Sequence, residues 1–476
     1  MADQAAAGWG GLLRGQNAPR SLALAGGVAL HAVNVYVTIT ILPSVVADIG
    51  GLDYYAWNTS LFILASIMGS ALSPRVLASL GPRGGYRFAT VVFAAGAVIC
   101  AIAPSMPVLL IGRTVQGFGG GVLFALSYAM IRVVFAEPLW PRAMALISSM
   151  WGAATLLGPA LGGIFAEFDI WRGAFWALPV LAVPYVLLTN FALPRKEDHA
   201  SGATGALPLR QLVLLAAAVL AISIGSVGDD PIRNGIGLAA AVVVSAILIA
   251  VERRAGTRLL PAGSFSLAAA LGPIYLTMSL LVIAMQPEIF VPYFLQVLHG
   301  VTPLIAGYMA ALMAAGWAVS AIVWSGAGKG AARWAIVGGP GIVLAALITL
   351  AIVMPGTVGA GLAGLIVTGI GLALTGFGIG AAWPHLLTRV LVVAPQDEAE
   401  QASAGITTVQ LFATALGAAL AGMTANLAGL TEPGGEAGAR AAAVWLFAAF
   451  SAAPVGAIVS AALVARHLGC NRSDVQ

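Results

Sequence analysis

LVLLAAAVLAISIGSV, Leu212 to Val227, and GLAAAVVVSAILIAV, Gly237 to Val251, are two apolar runs without a charged residue, separated by the polar GDDPIRN. Neither alternates polar with apolar side chains, which excludes the strand pattern of an outer-membrane barrel. With their flanks, 208–227 and 235–251, they approach the roughly 20 apolar residues that a helix needs to cross a bilayer core. The whole chain repeats this pattern. Of 476 residues, 60% are hydrophobic and only 8% charged, against roughly 25% charged in a soluble domain. A mean hydropathy of +0.97 is more apolar surface than an aqueous fold hides. The sequence therefore predicts an all-α polytopic membrane protein.

Apolar runs bounded by charges or Pro/Gly clusters give fourteen spans: 21–46, 55–79, 86–104, 107–132, 142–166, 173–193, 208–227, 235–251, 266–297, 302–326, 333–354, 358–381, 402–428 and 441–465. With the N-terminus inside, all but Arg113, Arg172, Arg233 and Arg440 of the 22 basic residues fall at the cytoplasmic face, as the positive-inside bias requires. Both termini are expected in the cytoplasm of a bacterial inner or plasma membrane. Removing the pair at 208–251 preserves the parity, so charge cannot choose between twelve and fourteen spans; the two apolar runs favour fourteen. The first twenty residues lack the apolar core and cleavage site of a signal peptide, so the first run is expected to remain as a span.

The polar stretch RKEDHASGATG at 195–205 follows six spans and reads as a linker. The expected organisation is a cytoplasmic segment 1–20, a six-helix bundle 21–194, a linker 195–207, two additional helices 208–251, a linker 252–265, a second six-helix bundle 266–466 and a cytoplasmic tail 467–476. Tandem membrane repeats are a transporter signature, because their interface offers a site reachable from either side. Other classes drop out. No basic stretch is interleaved with aromatics, so no nucleic-acid partner is expected. The two cysteines, Cys100 and Cys470, form no zinc pattern and no disulfide framework. No metal or cofactor is expected. The sequence has no Walker motif, which argues against an ATP-driven pump, and no HExxH or paired aspartates within a span, which argues against a membrane enzyme.

LLIGRTVQGFGGG, Leu109 to Gly121, puts Arg113 and Gln116 inside a span ahead of a glycine cluster. MWGAATLLGPALGGIF, Met150 to Phe165, places Gly158, Pro159, Gly162 and Gly163 in one helix, allowing close backbone approach and a kink. In these two runs the sequence resembles the major facilitator superfamily: the first is similar to its fourth-helix arginine motif, the second to the GPxxGG motif of its antiporters. WRGAFWALPVLAVP at 171–184, ERRAGTRLLPAGSF at 252–265 and VPYFLQVLHGVTPLIAGY at 291–308 look like segments of its fourteen-span drug:proton antiporter branch. The resemblance implies two six-helix bundles with two extra central helices, and proton-coupled antiport of hydrophobic or amphipathic small molecules by alternating access, with the proton gradient as energy source. A monomer in the lipid bilayer is expected. A proton-coupled importer of a small organic solute, or a transport-dead membrane sensor, remains the alternative. The sequence also departs from the family. In PRVLASLGPRGGYR the loop between the second and third helices has Pro74 and Ala78 where the family has Gly and Asp, leaving Arg75 and Arg83 as gate candidates. The usual first-helix aspartate is replaced by Asn34.

Among 18 acidic residues only Glu288 lies well inside a span, in LLVIAMQPEIFVPYFLQ. An ionised carboxyl there costs at least a few kcal/mol, so such residues mark proton or substrate sites. It is the expected proton-coupling carboxyl, against the reading of a carboxyl near the headgroups. His31, Asn34 and Thr38 recur at i, i+3 and i+7 on the first span and read as a polar stripe facing a cavity. An imidazole exchanges protons near neutral pH, so His31 is a second proton carrier or, alternatively, a neutral core histidine. Arg113 is expected to serve coupling or substrate contact, or to clamp the first and fourth helices. Asn34, Tyr36, Thr38, Gln116, Phe124, Tyr128, Gln286 and Tyr293 are the expected cavity lining. Gly158, Pro159, Gly162 and Gly163, with the stripes Ala65/Gly69/Ser73 and Ala413/Gly417/Ala421, are expected to pack helices; in the resembled fold they mark the sliding face between the halves.

Overall fold

The computed structural model describes residues 9–195, 207–356, 361–395 and 398–470. Most of the linker 195–207, the start of the N-terminal segment and most of the tail 467–476 lie outside the described residues. Everything regular among the described residues is helical. The main helices are α1 (Asn17–Ile49), α2 (Trp57–Ala101), α3 (Met106–Ala129), α4 (Trp140–Glu167), α5 (Trp171–Ala192), α6 (Leu209–Gly225), α7 (Pro231–Arg254), α8 (Leu271–Met285), α9 (Val291–His299), α10 (Pro303–Trp324), α11 (Lys329–Val353), α12 (Leu362–Val393), α13 (Ala399–Leu427), α14 (Gly435–Phe450) and α15 (Ala452–Cys470).

Twelve helical segments among the described residues are long and apolar enough to cross a membrane, where the sequence leads one to expect fourteen. The difference arises at two places. The spans 55–79 and 86–104 run together as α2, which is broken at Gly81, φ 69° and ψ 178°, a left-handed conformation that glycine adopts without a Cβ penalty. The other is α6, which at 17 residues is short for a crossing. Its partner α7 starts as a helix should: the Asp230 carboxylate accepts from the Ile232 N–H at 2.9 Å, with Pro231 in the first turn.

The helices sort into two compact units. The first holds α1, α3 to α5 and α2 from Leu61 on; the second holds Leu52–Ser60 and the chain from Pro208. The added pair α6 and α7 thus belongs to the second unit, where α6 packs on α13. Asn426 of α13 donates from Nδ2 to the carbonyls of Ser226, at 2.8 Å, and Asp53, at 3.1 Å. Those two bonds secure both the α6–α7 turn and the segment Leu52–Ser60.

One packing device appears in each unit. In the first, α3 carries GFGGG (Gly117 to Gly121) between α2 and the part of α2 beyond the break. A Cβ on Gly117 would lie 2.2 Å from the Phe62 carbonyl oxygen, one on Gly121 2.1 Å from that of Ser66, and one on Gly119 2.4 Å from the Phe93 nitrogen. Ser66 and Ser70 add hydrogen bonds to the carbonyls of Gly117 and Gly121 at 2.9 and 3.0 Å. In the second unit α12 carries GFGIG (Gly376 to Gly380). Gly376 and Gly380 meet the backbone of α10 at Met313 and Trp317, and Gly378 meets α11 at Gly339 and Val343. An aromatic residue follows seven positions after the first glycine in both, Phe124 and Trp383. Only glycine permits such backbone contact, so the two units repeat one three-helix clasp.

At the positions that can be followed, the glycines of the small-residue stripes abut helices of their own unit. Gly158 of α4 abuts Tyr36 of α1, where a Cβ would fall 2.4 Å from the tyrosine Cβ, and Gly162 abuts Val37, Thr40 and Ile41. Gly69 abuts Phe118 of α3. In the second unit Gly417 of α13 abuts Gln286, with 2.5 Å to its Cγ. These glycines hold helices together inside each unit. Pro159 and Gly163 are buried on the same face of α4.

Candidate functional site

Two polar clusters stand out, one in each unit. In the first unit, α1 presents the expected stripe, and all three of its members are buried: His31 at 2%, Asn34 at 0% and Thr38 at 2% exposure. Thr38 donates its hydroxyl back to the Asn34 carbonyl at 2.9 Å, a local bond that leaves the residue little to offer a ligand. Asn34 differs: neither its Oδ1 nor its Nδ2 has a hydrogen-bond partner in the protein. Opposite, on α3, Nη1 of Arg113 donates to Oε1 of Gln116 at 2.7 Å. Its guanidinium lies 4.1 Å from the centroid of the Phe62 ring, a cation–π contact. Arg113 is among the largest fully buried side chains of the protein. Nε2 of Gln116 is buried without a partner.

His31 sits in a cage of rings, with centroids 5.2 Å from Phe62, 5.5 Å from Phe124 and 6.0 Å from Trp151. The floor of the cage is Gly120, where a Cβ would come 2.8 Å from Nδ1 of the imidazole. Phe124 continues to Tyr128 at 5.2 Å, whose hydroxyl pairs with Ser148 at 3.3 Å. Phe124 and Tyr128 are only partly buried. So the structure brings His31, Asn34, Arg113, Gln116, Phe124 and Tyr128 into one neighbourhood, lined by α1, α2, α3 and α4. Tyr36 goes elsewhere, packed against Gly158. Phe62 and Trp151, in the sequence two of many aromatics within spans that could stack on a substrate, are walls of this cage; aromatic residues in apolar spans look alike until the helices are placed.

In the second unit the candidate carboxyl occupies a helix break. Between α8 and α9 the chain tightens into a 3-10 turn, Gln286–Phe290, with Pro287 and Pro292 on either side of Glu288. Proline removes a backbone donor and clashes with the preceding turn, which is why the apolar run 266–297 cannot continue as one α-helix. Glu288 is 7% exposed, and its Oε1 has no hydrogen-bond partner in the protein. Gln286 turns its amide back to the Val282 carbonyl at 2.9 Å. Tyr55, from the segment captured by this unit, stacks on Phe290 at 4.8 Å and meets Tyr293 edge-on at 5.7 Å. The Tyr55 hydroxyl is buried and also unpartnered. Sequence reading gives Tyr55 no role, since it stands at the very start of the span 55–79.

The loop arginines diverge. Arg83 is tied down, its Nε donating to the Leu193 carbonyl at the end of α5 at 2.6 Å, while Arg75 is exposed. At the far end of the unit, Arg172 pairs with Asp48 and donates to the Ala103 carbonyl at 3.0 Å; in the second unit Arg440 likewise donates to Pro355 at 2.6 Å. Among the described residues no group of three or more His, Cys, Asp or Glu side chains is placed to hold a metal ion.

Comparison with known proteins places these features in a family. The model of the Major Facilitator Superfamily matches residues 24–418. A probable multidrug-efflux transporter of Mycobacterium tuberculosis is 38% identical over 443 residues, covering 91% of this chain and 92% of the relative. The multidrug efflux pump SdrM of Staphylococcus aureus is 25% identical over 296 residues, 60% of this chain and 64% of the relative. Among solved structures, a POT peptide transporter in complex with alafosfalin superposes with a TM-score of 0.67 at 15% identity, covering 95% of this chain and 96% of the other. A bacterial homologue of the lysosomal transporter Spinster superposes with a TM-score of 0.58 at 15% identity, covering 93% and 95%. These structural likenesses speak to the fold.

Proposed function

The chain belongs to the major facilitator superfamily of membrane transporters, and from that premise we propose that it is a proton-coupled antiporter exporting hydrophobic or amphipathic small molecules by alternating access. The proposed topology has fourteen crossings, with α2 bent at Gly81 as two of them and α6 as another, both termini in the cytoplasm, and a monomer in the cell membrane. The observation that carries the reading is Glu288: a carboxyl buried in a helix break, with an oxygen that no protein group satisfies. Broken helices place binding groups at the membrane midplane in transporters, and an intramembrane carboxyl is worth its cost where it takes up and gives off a proton. The efflux names of the relatives support the direction of transport.

In this reading Glu288 carries the proton, and Arg113 and His31 set the charge state of the first unit. Asn34 offers an unpartnered amide, and Gln116 its unpartnered Nε2, to a polar substrate group. Phe124, Tyr128 and Tyr293 offer rings to its apolar body, with Gln286 beside Glu288. The test is flux in inverted vesicles under an imposed proton gradient. Wild-type protein accumulates a fluorescent lipophilic drug, and a protonophore abolishes the accumulation. Glu288→Gln, which mimics the neutral carboxyl, should lose gradient-driven accumulation at least tenfold while retaining drug binding. Unchanged gradient-driven flux in that variant removes Glu288 from the mechanism; drug flux indifferent to the protonophore removes proton coupling itself.

A further inference from the structure

Asn426, near the end of α13, is buried, and it divides one amide between two segments far apart in sequence. One bond goes to the Ser226 carbonyl in the α6–α7 turn, the other to the Asp53 carbonyl just beyond α1. In the fourteen-crossing topology α1, α6 and α13 all end at the outer face, so a single side chain joins three outer ends.

The segment that Asn426 holds takes an uncommon path. The chain leaves α1 in the first unit, belongs to the second unit over Leu52–Ser60 and returns to the first at Leu61. Within the second unit this strap lies along α13. Ala56 faces Gly422, where a Cβ would fall 2.7 Å from the alanine Cβ, and the Ser60 hydroxyl points to the Ala415 carbonyl at 3.5 Å. Tyr55 of the strap stacks on Phe290, in the turn Gln286–Phe290 that carries Glu288. The same turn rests on α13 at Gly417, against Gln286. Strap and turn therefore share one supporting helix.

The α6–α7 turn is built to hold its carbonyl still. Gly225 and Gly237 bring the two helices into backbone contact, a Cβ on Gly225 falling 2.8 Å from the Gly237 Cα. Asn234 donates from Nδ2 to the Asp230 carbonyl at 2.8 Å across the start of α7. An amide already tethered to Ser226 has less freedom to lose when its second N–H reaches Asp53. The added pair thus strengthens a bond to which it contributes no atom.

We propose that the added pair α6–α7 is the keeper of this outer strap: through Asn426, a positioning residue, it sets how readily Leu52–Ser60 leaves α13 and opens the turn at Glu288 to the outer side. The proposal rests on the reading of Glu288 as the proton carrier, and it gives the two added helices a part in the timing of that carrier's access.

The test is the rate at which Glu288→Cys, in the full chain with Cys100 and Cys470 replaced, reacts in intact cells with the membrane-impermeant 2-sulfonatoethyl methanethiosulfonate. Adding Asn426→Ala should raise the rate about tenfold or more, as expected when two buried hydrogen bonds are lost from a locally opening segment. Gly225→Ala, which forces α6 and α7 apart beside Ser226, should raise it in the same direction with Asn426 intact. Gly235→Ala, on the same pair where a Cβ meets nothing within 4 Å, should leave it unchanged. Ala443→Cys, fully buried in α14 of the same unit, reports general loosening and should label no faster in either background. If Asn426→Ala does not insert, the comparison of Gly225→Ala with Gly235→Ala decides. A rate unmoved by Gly225→Ala overturns the proposal, as does an equal rise at Ala443→Cys. The labelling reads access and not coupling, so its outcome is separate from whether Glu288→Gln loses gradient-driven flux.

Discussion

Nη1 of Arg113 and Oε1 of Gln116 lie 2.7 Å apart on one turn of α3, inside the first unit and beneath the Phe62 ring. The pair orients a guanidinium stacked on Phe62, in the same unit as the unpartnered amide of Asn34. A guanidinium offers five donors in a planar fork and stacks on aromatic faces, whereas an ammonium is a compact point charge. Arg113→Lys should therefore insert and purify normally but lose most drug flux, at least tenfold in the vesicle assay. Arg113→Ala should in addition lower the melting temperature, because it removes the packing on Phe62 and strands Gln116. If the lysine variant transports at the wild-type rate, any positive charge suffices and the geometric argument fails. If neither variant reaches the membrane, Arg113 belongs to the scaffold.

Gly120 and His31 give a second test. With 2.8 Å from a Cβ on Gly120 to Nδ1 of the imidazole, Gly120→Ala must push the ring toward Phe62, Phe124 and Trp151. Overpacking of this kind costs about 1–3 kcal/mol. A lowered melting temperature in Gly120→Ala that is restored by adding His31→Ala would identify the imidazole as the clashing group. Additive losses in the double variant would place the strain elsewhere.

The glycine clasps should matter more than their helix propensities suggest. Alanine is favoured over glycine in a helix by about 1 kcal/mol, and at Gly152, where a Cβ meets nothing within 4 Å, Gly152→Ala should leave the melting temperature unchanged or raise it. Gly117→Ala and Gly380→Ala put a methyl at 2.2 Å from a backbone oxygen. The neighbouring helix has to move, and each should melt well below the wild type. Equal melting of all three variants would show that the helices separate at little cost.

Much of the membrane bundle was legible in the sequence, because uninterrupted apolar runs have no other use and basic residues bias their ends. The arginine motif and Glu288 were legible for the same reason: a charge in an apolar run is too costly to be incidental. What was not legible depends on pairing between distant segments. The register of GFGGG against Phe62 and of GFGIG against Met313 is set by tertiary contact, although the repeat itself stands in the sequence. The stripe at Gly158 and Gly162 indicates close packing but not the partner, which is α1. Tyr36, assigned to the cavity from its neighbours on the first span, lies on that packed side. The break at Gln286–Phe290 was signalled by Pro287 and Pro292, while the capture of Tyr55 by Phe290 and Tyr293 left no local trace.

The crossing count has a direct chemical test. Asp229 lies exposed in the turn between α6 and α7, and fourteen crossings put that turn outside the cell. A single cysteine at this position, in a background with Cys100 and Cys470 replaced, should react with a membrane-impermeant maleimide in intact cells. Protection there, with labelling only after the membrane is opened, would place the 208–251 pair on the cytoplasmic side and leave twelve crossings.

Tyr55 separates a packing role from a chemical one. Its ring is 1% exposed and stacked 4.8 Å from Phe290, while its hydroxyl is buried without a partner. Removing the ring in Tyr55→Ala opens a large cavity, a change that costs about 3–5 kcal/mol in well-packed cores, and should lower the melting temperature sharply. Tyr55→Phe keeps the ring and removes only the unsatisfied hydroxyl. A buried polar group without a partner is destabilising by about 1–3 kcal/mol, so Tyr55→Phe should melt at or above the wild-type temperature. Flux then decides the rest. If Tyr55→Phe transports normally, the ring alone matters and Leu52–Ser60 is held to the second unit by stacking and by Asn426. If it is stable yet loses gradient-driven flux while binding drug, the hydroxyl takes part in handling the proton beside Glu288. A variant that melts below the wild type would mean that the hydroxyl is satisfied in the membrane, and the reading of this position as an open polar group would be wrong.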